Sequence, residues 1–303
     1  MRIDLNGAAT FMATQARLLD RRRFEVLFRD GDPAAALAAL EGYRNPDGGY
    51  GHGLEPDCRS VTSQPGGALH AFEVFADIGP VTSPRAAELC DWLDSVSLPD
   101  GGVPFALPMP DPFGSAPFWA GADASVSSLQ ITAIVAVAAH RVAAHDPAVA
   151  AHPWLTKATR YCLDEIEKID EAPHALVLAF AMKLVDALGD TRLVEKLGRF
   201  VPDDGVVAVG GGIEGEAMRP LDFAPEPGGP ARKLFDPEVV EADLRRIAGG
   251  QREDGGWRVD YASYSPAATL EWNGMFTVGM LGLLRANGVL TGDGGGTPAG
   301  PRR

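Results

Sequence analysis

The triplet Asp-Gly-Gly recurs in this chain, and a recurring glycine turn limits the architectures open to it. The copies are Asp47-Gly48-Gly49, Asp100-Gly101-Gly102 and Asp254-Gly255-Gly256. An aromatic residue follows the first and third, Tyr50 and Trp257. Gly210-Gly211-Gly212 reads as a degraded copy. Asp47 and Asp100 lie 53 positions apart, and Asp100 and Asp254 lie 154 apart, about three such units. A Gly-Gly pair marks positive φ or a close backbone approach. Repeats of roughly 20–50 residues mark units that bury their apolar faces on one another. The chain has 36 glycines, so chance triplets compete with this reading. The matching placement of the copies between helical segments favours the repeat.

Helical periodicity fills most of the chain between the turns. Ala8–Arg29 reads as one helix through Phe11, Leu18, Leu19, Val26 and Leu27. Pro33 opens a short one that the Asn45-Pro46 turn stops. Thr62 or Ser63 is expected to cap a helix with Pro65 in its first turn. Ser83-Pro84 opens another, and Ser125 or Ser127 starts an apolar one through Ile131 and Val137. Further helices are expected at 153–168, 174–188, 191–200, 236–248 and 266–287. Long loops are expected at 98–124 and 201–233. The tail, 291–303, has no apolar content and is expected to be disordered. No linker of that composition divides the body, so residues 1–290 read as one domain. Paired, repeated helices predict an all-α fold, either a solenoid or a closed α/α toroid of about six hairpins. The toroid has a central cavity, a natural ligand pocket.

Net charge is −14, which disfavours nucleic acid as a partner because that needs a basic face. No apolar run is long enough to span a membrane. The start, Met1-Arg2-Ile3-Asp4, lacks the form of a signal peptide, so a cytoplasmic protein is expected. Cys58, Cys90 and Cys162 show no metal-type spacing and read as reduced thiols. No P-loop, Rossmann or Gly-x-Ser-x-Gly motif is present, and neither a cofactor nor a metal is expected.

The stretch from Gln251 to Trp257 resembles the QW repeat of squalene and oxidosqualene cyclases. The stretch from Asn45 to Gly51 is similar to the same element, shared with protein prenyltransferase β-subunits. Pro220–Pro225 and Leu270-Glu271-Trp272 resemble an actinobacterial squalene-cyclase-like group without an assigned reaction. The resemblance implies an α/α barrel and a hydrophobic isoprenoid substrate. The Asp-x-Asp-Asp acid of class II terpene cyclases is absent, as are class I metal signatures. Glu55-Pro56-Asp57 is the nearest match to the acid. Asp57 and Cys58 are adjacent, so the prenyltransferase zinc spacing does not carry over.

Two carboxylates in a partly dry pocket repel, and one is driven to hold a proton. Glu55 and Asp57 are therefore the candidate acids, with His52 and Arg59 near enough in sequence to orient them. The plainer reading pairs Asp57 with Arg59 and has Glu55 cap a turn or lie in solvent. Tyr50, Trp119, Phe223, Trp257, Tyr261 and Trp272 sit in or beside loops and are candidates to line the cavity. Aromatic faces hold cations, sugars or simply each other, and Trp257 can merely stack on its own turn. Asp123, Arg219, Asp222 and Glu271 complete the candidate substrate-binding set. His70, His140, His145, His152 and His174 share no spacing and read as surface or core residues. Three functions follow: acid-initiated terpenoid cyclisation, a carbohydrate-active toroid enzyme, or a non-catalytic lipid-binding protein. An apolar closed pocket favours the first, and a polar site with acids favours the second.

Overall fold

The computed structural model describes residues 3–80 and 83–290, so the tail expected to be disordered lies outside the described residues. Among the described residues are fourteen α-helices and one two-stranded hairpin, an all-α architecture. The apolar run expected as one helix is two, α1 (Leu5–Gln15) and α2 (Leu18–Phe28). The chain is extended at Ala16 and at Arg17. The Arg17 guanidinium donates to Leu54 O at 3.0 Å and to Asp20 at 2.8 Å. Tertiary hydrogen bonds override the local period here.

Proline in the first turn opens most of the later helices, as its fixed φ allows. These are α3 (Pro33–Leu40), α4 (Pro65–Asp77), α5 (Pro84–Val96), α6 (Pro117–Ala120), α8 (Pro147–Ala150), α9 (Pro153–Glu167), α12 (Pro220–Phe223), α13 (Pro237–Gly249) and α14 (Pro266–Ala286). The others are α7 (Leu129–Ala143), α10 (Ala175–Ala187) and α11 (Thr191–Gly198). The expected caps of α4 and α7 are displaced by one residue. Gln64 and Ser128 occupy those N-cap positions. Ser63 and Ser127 instead donate to the turn aspartates, Asp47 at 2.7 Å and Asp100 at 2.6 Å.

The three Asp-Gly-Gly turns are one structure. The first glycine has φ near +90° in each: 93° at Gly48, 91° at Gly101 and 93° at Gly255. Its N–H donates to the carbonyl three residues back, at Asn45, Leu98 and Arg252. The second glycine donates to the turn aspartate. A Cβ on that glycine would strike an aromatic ring of another helix: Trp92 at 2.6 Å, Tyr161 at 2.7 Å and Phe11 at 2.7 Å. Four residues before each ring, Glu88, Lys157 and Gly7 crowd the first glycine. Gly210-Gly211-Gly212 is not a copy. It forms the tip of a hairpin between β1 (Val207–Ala208) and β2 (Ala217–Met218).

Packing follows the repeat. α4 lies against α2 and α7, α7 against α10, and α10 against α12; α14 contacts α13, α1 and α2. α3, α5, α9 and α11 pack behind them. The Gln251 side chain exchanges hydrogen bonds of 2.8 and 2.9 Å with the backbone of Asp4, tying the two ends of the chain. One apolar core gathers Tyr50, Phe72, Trp92 and Trp154; another gathers Phe11, Phe24, Phe223, Trp257 and Leu281 from both chain ends. Among the described residues no helix is long and apolar enough to cross a membrane.

Candidate active site

The segment after the first glycine turn folds inward. Leu54 N–H closes a turn on Gly51 O, and Cys58 N–H closes one on Glu55 O. Arg17 holds the Leu54 carbonyl from one side, and Ala116 N–H holds the Asp57 carbonyl at 2.8 Å from the other. This local winding buries both candidate acids: Glu55 is 6% exposed and Asp57 is 4%. Asp57 N–H donates to Glu55 Oε1 at 3.1 Å, so the Glu55 side chain folds back onto the backbone at Asp57.

Glu55 meets a histidine that the sequence reading set aside. His70 on α4 is 2.7 Å from Glu55 Oε2 through Nε2 and 2.9 Å from Glu73 Oε2 through Nδ1. Burial alone would lower its pKa. The charges and hydrogen bonds of Glu73 and Glu55 outweigh burial and push the imidazole up to about 9. His70 is thus an imidazolium at neutral pH, bridging two carboxylates. Burial would raise Glu73, but His70, Arg23 and Arg141 outweigh it and pull it down to about 2. Arg23 continues the chain of charge, 2.8 Å from Asp77 and 3.9 Å from Glu73. The available signal was His-x-x-Glu on one helix face, which puts both side chains on the same stripe.

Asp57 has different partners. Tyr264 N–H donates to Oδ1 at 3.0 Å, and the Trp272 indole N–H donates to Oδ2 at 2.7 Å. Burial raises the Asp57 carboxyl above its ordinary range; the two N–H donors oppose the rise and the Glu55 charge adds to it. The ring of Trp272 stands edge-on to His70 at 5.8 Å and to Tyr261 at 5.4 Å. Burial, with the charges of Glu55 and Asp57, pushes the Tyr261 phenol well above its usual value. Arg59 does not pair with Asp57 as the plainer reading had it. It pairs with Glu271, at 2.5 Å. Trp119 stacks on Phe105 at 4.4 Å. A Cβ on Gly66 would lie 3.0 Å from Trp119 and 3.2 Å from Glu55, so Trp119 shares a wall with the acid.

Charged groups continue beyond the acids. Lys183 on α10 and Asp222 on α12 are half-buried, and each shifts the other's titration. Burial lowers Lys183 first of all; Asp222 and Glu73 oppose that, and Arg141 on α7 adds to it. Burial raises Asp222, and Lys183 opposes the rise.

Several expected site residues lie elsewhere. His52 is exposed with φ +54° and contacts Asn45 Oδ1 at 3.0 Å; the turn that buries Glu55 directs it outward. Tyr50 is wholly buried and packs edge-on against Phe75. Trp257 is 2% exposed and its indole N–H is used on Ile247 O at 2.7 Å, which makes it a turn staple. Phe223 is sealed in the core against Phe235. Asp123 is exposed and accepts from Ser125. Arg219 N–H donates to Asp222 Oδ2 at 2.8 Å at the start of α12.

A surface cavity of ≈ 420 Å³ lies away from the acids, lined by Asp94, Asp100, Lys157 and Arg160 among others. None of its lining residues belongs to the buried acid cluster, which is the stronger candidate because it gathers Glu55, Asp57 and His70 in one place. Among the described residues no group of three or more His, Cys, Asp or Glu side chains is arranged to hold a metal ion. Cys58, next to Asp57, is buried, and burial pushes its thiol up to about 12. No protein-family model matches the chain, and no curated protein matches it.

Proposed function

We propose that this chain is an enzyme that performs acid–base chemistry on a carbohydrate-type substrate inside an α/α toroid. The toroid would be built of about six hairpins: α1–α2, α3–α4, α5–α7, α9–α10, α11–α12 and α13–α14. The run of contacts from α2 through α4, α7 and α10, with α14 returning to α1 and α2, supports that ring. So does the seating of Gly255 on Gly7 and of Gly256 on Phe11, which brings a late turn against the first helix.

One observation carries the chemistry. Asp57 is a buried carboxyl with a raised pKa, beside a second carboxylate already neutralised by His70. This divides the roles. Glu55 is hydrogen-bonded to His70, and its charge adds to the rise at Asp57 and so favours a proton there. Asp57 is then the general acid that protonates the leaving oxygen of a glycosidic bond. Tyr261, with its proton held, stands as a hydroxyl donor beside it.

Neighbouring charged groups argue for a sugar over a hydrocarbon. Glu73, Lys183, Asp222 and Arg59 all keep part of their surface open. Packing an apolar chain against them would strip water from charges without replacing its hydrogen bonds. Sugar hydroxyls do replace them, and Trp272 and Tyr261 offer ring faces for the sugar's apolar side.

Terpenoid cyclisation is the second reading. The repeated glycine turn favours it, and the Trp272–Tyr261 pair next to Asp57 would steady a cation by about 0.5–2 kcal/mol per ring. A lipid-binding protein has no need of a perturbed acid, and Asp57 weighs against it. A cytoplasmic setting belongs to this proposal too.

The test is incubation with neutral and acidic oligosaccharides, farnesyl and geranylgeranyl diphosphates, and squalene, with products read by mass spectrometry. Oligosaccharide turnover is expected, and Asp57→Asn should lower it about 10²–10⁴-fold. Turnover of an isoprenoid alone would transfer the assignment to the second reading. Full activity in Asp57→Asn would remove the acid.

A further inference from the structure

Trp119 is buried beside the acids, and Tyr261 and Trp272 are half-buried, but two neighbouring rings face water. Phe118 is 49% exposed and Tyr264 is 46% exposed. They come from distant parts of the chain, α6 and the loop before α14. Their ring centroids stand 5.5 Å apart and the rings are nearly perpendicular, at 79°. Rings left open in this way forgo the burial that aromatic side chains ordinarily supply.

Both are tied to the acid. Tyr264 N–H is the donor to Asp57 Oδ1, at 3.0 Å. Two residues before Phe118, Ala116 N–H donates to Asp57 O at 2.8 Å, and Ser115 Oγ accepts from Arg59 N–H at 2.8 Å. Behind Phe118 the aromatic packing runs inward. Phe105 lies 6.4 Å from Phe118 and stacks at 4.4 Å on Trp119, which shares a wall with Glu55. Phe118 and Tyr264 are thus the outer end of an aromatic wall that begins at the acids.

Area and neighbours select the occupant. The two rings, even with exposed Phe113 from the same loop as Phe118, offer roughly 400 Å² of apolar surface, about half of what one side of a stable protein interface buries. That suits a small ring rather than a partner chain. The Arg59–Glu271 ion pair is close by and keeps part of its surface open. A Cβ on Gly114, four residues before Phe118, would lie 3.5 Å from the Arg59 side chain, and Glu271 is on the helix that follows Tyr264. A ligand here meets ring faces and fixed charges together. A sugar ring presents an apolar C–H face, and its hydroxyls accept from a guanidinium and donate to a carboxylate. A hydrocarbon chain uses only the faces.

We infer that Phe118 and Tyr264 form a stacking platform outside the acids, which holds the second ring of an oligosaccharide, so that the ligand is a chain of at least two sugars. This rests on the carbohydrate reading above and adds the ring beyond the one at Asp57. Phe118→Ala and Tyr264→Ala each remove one ring, and Tyr264→Ala keeps the backbone N–H that Asp57 accepts. Phe118→Leu keeps apolar bulk without a flat face. Tyr264→Phe keeps the face without the hydroxyl.

Binding is measured by calorimetry on the full chain. Circular dichroism and thermal melting establish the fold of each variant, and sedimentation reads its oligomeric state. The probes are neutral gluco-, galacto- and manno-configured mono- and disaccharides, and farnesyl diphosphate. Wild type should bind a disaccharide more tightly than its monosaccharide. Phe118→Ala, Phe118→Leu and Tyr264→Ala should each reduce that gain about tenfold, and Tyr264→Phe should retain it. No gain in wild type, an unchanged gain in the folded ring-deleted variants, or its loss in Tyr264→Phe overturns the platform and leaves the carbohydrate reading standing. So does a wild-type dimer that Phe118→Ala dissociates, because a second copy would then cover the rings. A wild type that binds no saccharide overturns both the platform and the carbohydrate reading, and farnesyl diphosphate bound instead transfers the rings to an isoprenoid.

Discussion

The turn at Asn45–Gly49 and the turn at Arg252–Gly256 share their backbone hydrogen bonds, yet the residues that follow them diverge. After the first, the chain winds inward through Leu54 and buries Glu55 and Asp57. After the third, Trp257 fills the core, and the chain then runs to Tyr264 and Trp272, which grip Asp57. The turn is scaffold in both places. The candidate acid Asp57 lies where the segment after one turn meets the segment after the other, 207 and 215 residues away in the chain. A repeat can thus supply a uniform frame while its non-repeating insertions make one asymmetric site.

Removing the centre of that asymmetry should have the largest effect. His70→Ala leaves the buried Glu55 without its cation and Glu73 with only Arg23, and should destabilise the fold by about 3–5 kcal/mol in urea unfolding. Wild-type stability should also depend on pH in a defined way. The fold raises the His70 pKa, so its contribution is full below the free imidazole value of 6.5 and fades as pH rises through about 9. Glu73 is depressed, so its contribution is full above 4.5 and fades as pH falls through about 2. Urea midpoints measured across pH should fall on the alkaline side, and His70→Gln should flatten that fall. An unchanged alkaline limb in the variant would show that His70 is not held as an imidazolium.

Next in size are the turns themselves. Gly255→Ala puts a Cβ 2.1 Å from the Gly7 backbone at positive φ, and should cost roughly 2–4 kcal/mol. Gly48→Ala, with its nearest contact at 3.3 Å, should cost about 1–2 kcal/mol, mainly for the left-handed backbone. Equal losses would mean that the seating of the third turn on α1 adds nothing. Trp272→Phe removes one donor to Asp57 and should cost about 1–2 kcal/mol while raising the Asp57 pKa further, read by NMR titration of the carboxyl. The smallest effect is expected at His52, which lies outside the acid cluster. His52→Gly relieves a positive φ and should change stability by less than about 1 kcal/mol and leave turnover intact.

The helices were largely legible because Pro and Ser starts and apolar periodicity are local signals. The break at Ala16–Arg17 was not, since it answers to carbonyls at Gly53 and Leu54 far along the chain. Glu55, Asp57 and Tyr261 could be named as chemically suited residues in loops, and Glu271 and Trp272 as such residues on the final helix. His70 and Lys183 could not, because each looks like an ordinary helical residue until the facing helices are in place. The opposite error, at Tyr50, Phe223 and Trp257, has the same root: an aromatic beside a turn packs inward as readily as it lines a cavity.

Sequence alone determined the helical class and the three identical turns, because backbone sterics at glycine and proline act within a few residues. Only the tertiary structure decided what each candidate acid faces and that the Asp57 carboxyl is raised above its ordinary range. That depends on burial and on which charge stands within a few ångströms, and here the deciding partners, His70, Tyr264 and Trp272, come from two other parts of the chain.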